Sequence, residues 1–309
     1  MAAHHSIRPA SRRSPILLAA AGSALAVVLA GCGGGTVVST APSTSATPTP
    51  ATASSPPSTT SEPSESGADT AAHAIVSWEH DGISLGDLEA STQARWFFGH
   101  QSVGGNVLKG IGAMYRGNGL GRANLVNVAD GEALPESGGV IAHAPVGRNG
   151  YPLEKLADFD AILRAGTAAE IDTAVLKFCY TDVRAARTDI PALFEEYRRV
   201  MADLERDFPE VRFVYATVPL RVEGEADNVA RTELNAMIRA EYAGTGRLWD
   251  IAAIEATTLD GEQVGGTFEG QPYQALNADF SHDGSHLFET GTEVAAAPLL
   301  ELVVHGRIG

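Results

Sequence analysis

The chain has 309 residues and a formal net charge of −16 at pH 7, with 38 Asp+Glu against 22 Lys+Arg. Phosphate backbones and anionic membrane surfaces repel so acidic a protein, which argues against nucleic acid or a bare lipid surface as its partner. A chain of this length forms one or two domains. The net charge does not argue against a neutral substrate such as a sugar ester.

The first segment, residues 1–31, has the pattern of an export signal. A basic stretch precedes an apolar run at residues 16–30. This run is shorter than a typical membrane-spanning helix. The run ends in Leu29-Ala30-Gly31-Cys32, which resembles the lipobox that bacteria cleave just before its cysteine. We therefore expect an exported lipoprotein, held on the outer side of the cell membrane by lipid on Cys32. A plain secretory signal with an incidental cysteine is the alternative.

A linker follows at residues 32–72. It consists almost wholly of Ser, Thr, Pro, Ala and Gly. Such a composition buries too little apolar surface to offset the entropy of ordering the chain. We expect a disordered spacer between the membrane and a single domain at residues 73–309.

The stretch FFGHQSVGGN at residues 97–106 is the first in this domain to suggest chemistry. It joins a strand predicted at residues 95–99 to a helix predicted from apolar residues at helical spacing. Ser102 therefore lies at a strand-to-helix turn, among glycines that permit a close backbone approach. A serine there exposes its hydroxyl beside free helix N–H groups. An ordinary glycine-rich turn is the alternative.

Strand and helix patterns alternate along the rest of the domain. Further strands are predicted at residues 124–128, 140–143, 173–179, 211–218 and 248–251, and helices at residues 190–208, 228–242 and 287–304. Continuously apolar strands between helices indicate an α/β fold with a mainly parallel sheet that is covered on both faces. Sites in such sheets form at the carboxyl ends of the strands. The polar, glycine-rich residues 256–281 are predicted to form a loop bordering the site.

The two cysteines have different expected roles. If Cys32 carries lipid, Cys179 is unpaired. Because Cys179 lies in the apolar run at residues 174–180, we predict a buried core thiol rather than a nucleophile.

A second chemical block, Asp283-Gly284-Ser285-His286, lies at the predicted start of the last helix. Side chains three residues apart can meet there. A serine nucleophile needs a base within hydrogen-bond reach and a carboxylate that orients the base, and this block can supply both. Two alternatives are open: Asp283 only caps the helix, or His282 and His286 bind a metal ion.

The blocks Gly99-His100-Gln101-Ser102 and Asp283-Gly284-Ser285-His286 together resemble the end blocks of SGNH/GDSL-type hydrolases. The resemblance covers residues 95–309. It implies a three-layer, flavodoxin-like α/β/α fold and ester chemistry without metal or cofactor. By the same resemblance Ser102 is the nucleophile, His286 the general base and then acid, and Asp283 its orienter. His100-Gln101 departs from the usual Gly-Asp-Ser, which indicates a divergent branch.

The family also supplies a glycine and an asparagine that stabilise the oxyanion beside the serine N–H. Gly147 and Asn149 follow a predicted strand and could provide both. The usual Gly-x-Asn-Asp block falls at Cys179-Tyr180-Thr181-Asp182, where Thr181 replaces the asparagine. This replacement increases the importance of Asn149.

Three further residues are possible pocket residues. His100 either lines the pocket or packs beneath the turn, and Gln101 lies next to it. Asp182 either borders the site or caps the preceding strand.

The sequence as a whole predicts a monomeric serine esterase at the cell surface, acting on acyl groups of carbohydrate or cell-wall polymers. Acyl transfer to a polysaccharide and a non-catalytic module that binds glycan are the alternatives.

Overall fold

The computed structural model describes residues 82–305. The predicted signal, the lipid on Cys32 and the linker at residues 32–72 lie outside these residues. The helices of the described part are α1 (Leu85–Ser91), α2 (Ser102–Gly117), α3 (Pro152–Arg164), α4 (Ile190–Asp207), α5 (Glu225–Tyr242), α6 (Ile251–Glu255) and α7 (Thr290–His305). Its strands are β1 (Arg95–His100), β2 (Leu125–Asn127), β3 (Val140–Pro145), β4 (Thr173–Leu176), β5 (Arg212–Ala216), β6 (Leu248–Trp249), β7 (Gly265–Phe268) and β8 (Gln271–Gln274). No helix between residues 82 and 305 is both long and apolar enough to cross a membrane.

Six of the strands form one parallel sheet in the order β2-β3-β1-β4-β5-β6. Without the short edge strand β2, the remaining five strands have the order 2-1-3-4-5 in their own chain sequence. This is the flavodoxin-like order, in which the direction of winding reverses at the first strand. Here the reversal lies between the adjacent strands β1 and β4. The predicted fold class is confirmed.

The side chains of the sheet strands alternate between two hydrophobic cores. In β1, Trp96 and Phe98 pack with residues of α1, α2, α6 and α7, whereas Phe97 packs with residues of α3, α4 and α5. The same alternation puts Val175 of β4 in the first core and Leu176 in the second. Because successive side chains of a strand point to opposite faces, each face needs its own helical layer. The result is a three-layer α/β/α sandwich.

Several predicted elements differ from the structure; the strand predicted at residues 173–179, for example, ends at Leu176. The strand predicted at residues 248–251 ends at Trp249, because the Asp250 side chain accepts a hydrogen bond from Ala253 N–H and starts α6. The last helix begins at Thr290, so the DxxH block precedes it. Residues 256–281 are not only a loop, since they contain the antiparallel pair β7–β8, which packs against α5.

The nucleophile helix α2 packs closely against α7. A Cβ atom on Gly110 would lie 2.3 Å from the backbone oxygen of Thr292. Only glycine permits this separation between the two helix backbones. Since α7 directly follows the DxxH block, this contact helps to set the position of that block relative to Ser102.

We predict that Gly110→Ala destabilises the protein by about 1–3 kcal/mol, because the added methyl group overpacks the α2–α7 contact. Gly117→Ala is the matched control in the same helix. Its Cβ would meet nothing within 4 Å, so we expect no loss and a gain of up to about 1 kcal/mol. Urea unfolding measures both variants, and equal stability of the two would contradict close packing at Gly110.

Candidate active site

The turn after β1 presents Ser102 at the carboxyl edge of the sheet. Gln101 has an extended backbone and is the N-cap of α2, which makes Ser102 the first residue of the helix. The Gln101 side-chain amide donates to the carbonyl oxygens of Val146 at 3.0 Å and of Gly147 at 2.7 Å. Gln101 therefore ties the serine turn to the loop after β3. Its amide N–H groups are used within the fold rather than offered to a pocket.

His100 packs beneath the serine turn. A Cβ atom on Gly104 would lie 2.3 Å from the His100 Cβ, so the glycine makes room for the imidazole. His100 Nε2 lies 3.3 Å from His143 Nδ1, and the two rings stack with centroids 5.4 Å apart. Burial, with Lys177 and His143 adding to it, lowers the pKa of His100 to about 3. His100 is neutral at pH 7, and of its two interpretations the structure favours packing.

Asp283 and His286 form a hydrogen-bonded pair in the turn before α7. Asp283 Oδ2 lies 2.6 Å from His286 Nδ1, and Asp283 Oδ1 accepts hydrogen bonds from the backbone N–H groups of Ser285 and His286. The hydrogen bond to the imidazole, followed by the backbone bonds, holds the pKa of Asp283 well below its usual range. An ionised carboxylate only accepts, so Nδ1 of His286 donates and Nε2 keeps the free lone pair. This is the tautomer that a general base needs.

The two alternative roles of this block, helix capping by Asp283 and metal binding by His282 and His286, agree less well with the structure. Asp283 caps its own turn and not the helix, which begins only at Thr290. The His282 ring packs against Phe288 with 3.9 Å between centroids, while His286 binds Asp283. The two histidines therefore have separate partners.

Ser102 and His286 both border the segment that follows β4. Ser102 Oγ lies 3.8 Å from Cys179 Sγ, and the ring of the next residue, Tyr180, meets the His286 ring edge-on at 5.9 Å. The buried Arg231 donates from Nε to the Tyr180 carbonyl oxygen at 2.9 Å and so fixes this segment. No hydrogen bond joins Ser102 Oγ to His286 in the described part of the chain; such bonds often tighten only when substrate is bound.

Cys179 is buried, as predicted, but its position beside the serine was not predicted. The buried Lys177 approaches the same sulfur at 3.8 Å and donates to the Phe178 carbonyl oxygen at 3.0 Å. Burial lowers the pKa of Lys177. The sequence predicted only that both residues follow strands of one parallel sheet; the structure shows that these strands, β1 and β4, are neighbours, which brings the residues after them together.

Asp182 is a buried structural residue. Its carboxylate accepts hydrogen bonds from Lys155 Nζ at 2.6 Å, from Cys179 N at 2.6 Å and from Gly150 N at 2.8 Å. The side chains of Asp182 and Lys155 are both fully buried. Asp182 thus joins the turn after β4 to the loop after β3, and it supports the site rather than lining it with a free carboxylate.

The two predicted oxyanion donors differ in availability. The Gly147 N–H donates to Asp158 Oδ2 at 2.8 Å, so it is already engaged, contrary to its predicted role. Asn149 Oδ1 accepts from Lys155 Nζ at 3.0 Å. Because an ammonium group can only donate, this contact fixes the amide so that the Nδ2 hydrogens remain free to donate. Asn149 is exposed and keeps its candidate role.

A cavity of about 980 Å³ adjoins these residues. Asn149 and Thr181 belong to its lining, whereas Ser102 and His286 do not. Thr181 Oγ1 is buried and has no hydrogen-bond partner among the described residues. The candidate oxyanion donor Asn149 therefore lines the cavity, whereas the serine and the histidine do not.

We predict that Asp182→Asn destabilises the protein by about 3–5 kcal/mol, because it leaves the Lys155 ammonium buried without a counter-charge. Glu195→Ala is the control, since it breaks an exposed pair with Arg198 that is worth at most about 1 kcal/mol. Urea unfolding measures both. A loss below about 1 kcal/mol for Asp182→Asn would show that the pair is not the main tie between the two loops.

Comparisons with known proteins find distant structural likeness only. No family model matches the sequence, and no curated protein matches it. Similar solved structures include a GDSL-like lipase from Bacteroides thetaiotaomicron, with 14% identity and a TM-score of 0.44 over 69% of this chain and 88% of that one. A lipase/acylhydrolase from Enterococcus faecalis has 16% identity and a TM-score of 0.40 over 68% and 96% of the two chains. An acetyl xylan esterase has 16% identity and a TM-score of 0.42 over 66% and 97%. Such distant likenesses assign no activity to this chain.

Proposed function

We propose that the protein is a serine esterase of the SGNH type. The observation that carries this proposal is the convergence of two separate blocks on one short segment. Ser102 reaches Cys179, and the pre-oriented His286 packs against Tyr180, at the sheet edge where the winding reverses. That edge is where open α/β sheets place their ligand sites.

The mechanism follows from the atoms available. The Ser102 hydroxyl leaves Cys179 Sγ and passes its proton to His286 Nε2 as Oγ attacks the acyl carbon of the ester. His286 then protonates the departing alcohol, and water attacks the acyl-enzyme with His286 again as base. Asp283 holds the imidazole tautomer and stabilises the imidazolium.

The oxyanion is stabilised by the Ser102 N–H and by Asn149. The first N–H groups of a helix have no partner within it, so the N–H of Ser102 at the start of α2 can donate. Asn149 Nδ2 is the second donor, since the Gly147 N–H is engaged by Asp158. Such donors act on charge that develops only in the transition state.

The substrates we propose are acyl esters of carbohydrates or cell-wall polymers. Support comes from the export signal and the Cys32 lipobox pattern, which would hold a monomeric enzyme outside the membrane, where such polymers lie. The strongly acidic chain is repelled by nucleic acid, which argues against a polynucleotide substrate.

A non-catalytic module that binds glycan is the second candidate. The Ser102 hydroxyl contacts the Cys179 thiol instead of His286, which is the one observation in its favour. A fluorophosphonate probe separates the two candidates. It labels Ser102 only if His286 can activate the hydroxyl.

We predict that Ser102→Ala and His286→Ala each lower kcat for 4-nitrophenyl acetate by a factor on the order of 10⁴ or more, as removal of a nucleophile or its base does. His305→Ala is the matched control, because His305 is an exposed histidine near Asp87 on the far end of α7. We expect that variant to keep full activity. Equal hydrolysis by the wild type and Ser102→Ala would refute the esterase mechanism.

We predict that Asn149→Asp lowers kcat by about 10²–10³-fold with little change in KM, because one oxyanion donor is lost. The aspartate keeps an acceptor for Lys155 Nζ, so the fold should be retained, and thermal unfolding checks this. Asn118→Asp, at the exposed end of α2, is the control. A kcat within about threefold of the wild type would remove Asn149 from the oxyanion site.

A further inference from the structure

We propose that the cavity next to Asn149 is a subsite that binds a carboxylate-bearing part of a glycan ester through Arg184 and Arg187. The proposal rests on the esterase function above and names its class of substrate. The cavity of about 980 Å³ lies between the loop after β3, the turn after β4 and the first turns of α4. Since its lining includes Asn149, the candidate oxyanion donor, we expect a substrate with its acyl group near Ser102 to extend into it.

The acidic side chains of the cavity are already engaged. Glu154 pairs with Arg148, and Asp182 pairs with the buried Lys155. Glu196 pairs with Arg199 on the surface of α4. Their charges are balanced locally, so they do not repel an anion strongly.

The fourth acid of the lining, Asp189, is the N-cap of α4. Its side chain accepts a hydrogen bond from the Ala192 N–H at 3.1 Å. Asp227 lies next to the cavity, where it accepts from Ala185 N and pairs with Arg231. Both carboxylates are directed to backbone or to a cation within the fold.

The arginines of the cavity lining have no carboxylate partner among the described residues. Within the described residues Arg184 and Arg187 are exposed and form no ion pair; Arg184 Nε only approaches the Thr181 carbonyl oxygen at 3.4 Å. Other arginines of this acidic protein have a carboxylate partner, for example Arg164, Arg198, Arg199, Arg206 and Arg247, whereas Arg122 has none among the described residues. Each unpaired guanidinium group has the planar, bidentate donor geometry that binds a carboxylate.

Another part of the lining suits a sugar ring. Tyr151 is 51% exposed and Leu153 58% exposed, which is unusual for large apolar residues in this chain. The Arg148 guanidinium stacks over the Tyr151 ring at 4.1 Å and holds the ring in place. A sugar ring that packs an apolar face on Tyr151 and places a carboxylate near the arginines contacts both parts of the lining. A neutral glycan has no carboxylate for the arginines to bind.

The test measures binding first, because binding does not need catalysis. Trigalacturonic acid and the neutral galactotriose are titrated calorimetrically into the purified wild type, the double variant Arg184→Gln/Arg187→Gln and the control Arg122→Gln. Arg122 is an exposed arginine before β2, without an ion pair among the described residues. We expect the wild type and the control to prefer the acid, and the double variant to bind it about tenfold more weakly, since the charge-assisted hydrogen bonds from both guanidinium groups are lost.

The outcomes separate this subsite from the esterase function. Wild-type protein that binds both sugars equally or binds neither, or a double variant that binds the acid like the wild type, would overturn the subsite. A preference for the acid that persists in Ser102→Ala supports it even if no ester is hydrolysed, and the absence of hydrolysis by the wild type would then refute only the esterase. Thermal unfolding of the double variant should match the wild type, because both arginines are exposed.

Discussion

The buried pair of Lys155 and Asp182 is the interaction on which the candidate site depends. Two opposite charges without exposed surface are costly to desolvate, so the pair adds little net stability compared with well-packed apolar residues. Its carboxylate also holds Cys179 N and Gly150 N, and its ammonium group holds Asn149 Oδ1. We infer that its role is geometric: it fixes the loop after β3, with the oxyanion candidate, against the turn after β4, which meets both the serine and the histidine.

A second set of contacts supports the serine turn from below. His100 fills the space left by Gly104, and Gln101 binds the carbonyls of Val146 and Gly147. These are the two residues that depart from the usual Gly-Asp-Ser pattern. Their side chains are used to hold the turn, which gives the departure a structural reason.

Local patterns in the sequence predicted the layers of the fold well. Continuously apolar strands such as Ala174-Val175-Leu176, together with the helical spacing of apolar residues in α4, predicted a parallel sheet covered by helices on both faces. The pairing of Asp283 with His286 was also predictable, because three residues separate them. Boundaries such as the start of α7 depend on caps and tertiary contacts, which pattern alone does not show.

Contacts between distant segments could not be predicted from the sequence. Nothing local to Gly147 indicates that Asp158 occupies its N–H, and nothing local to Cys179 indicates that it meets Ser102. The roles of Asp182 and Lys155 likewise depend on two loops that the sheet brings together. Buried polar residues near strand ends were the available signal, since a buried charge requires a partner, but the sequence does not identify that partner.

The close contact between Gly110 and Thr292 has a consequence for how the molecule matures. The serine lies near the start of the described domain, whereas the aspartate and histidine are among the last residues before the final helix. Long-range contacts of this kind form late, because the entropy of closing a large loop opposes them. Under the proposed function, a partly folded chain whose α7 has not yet docked on α2 carries a serine without its base. Reactivity then arises only with complete folding, which would leave an incompletely folded chain without esterase activity.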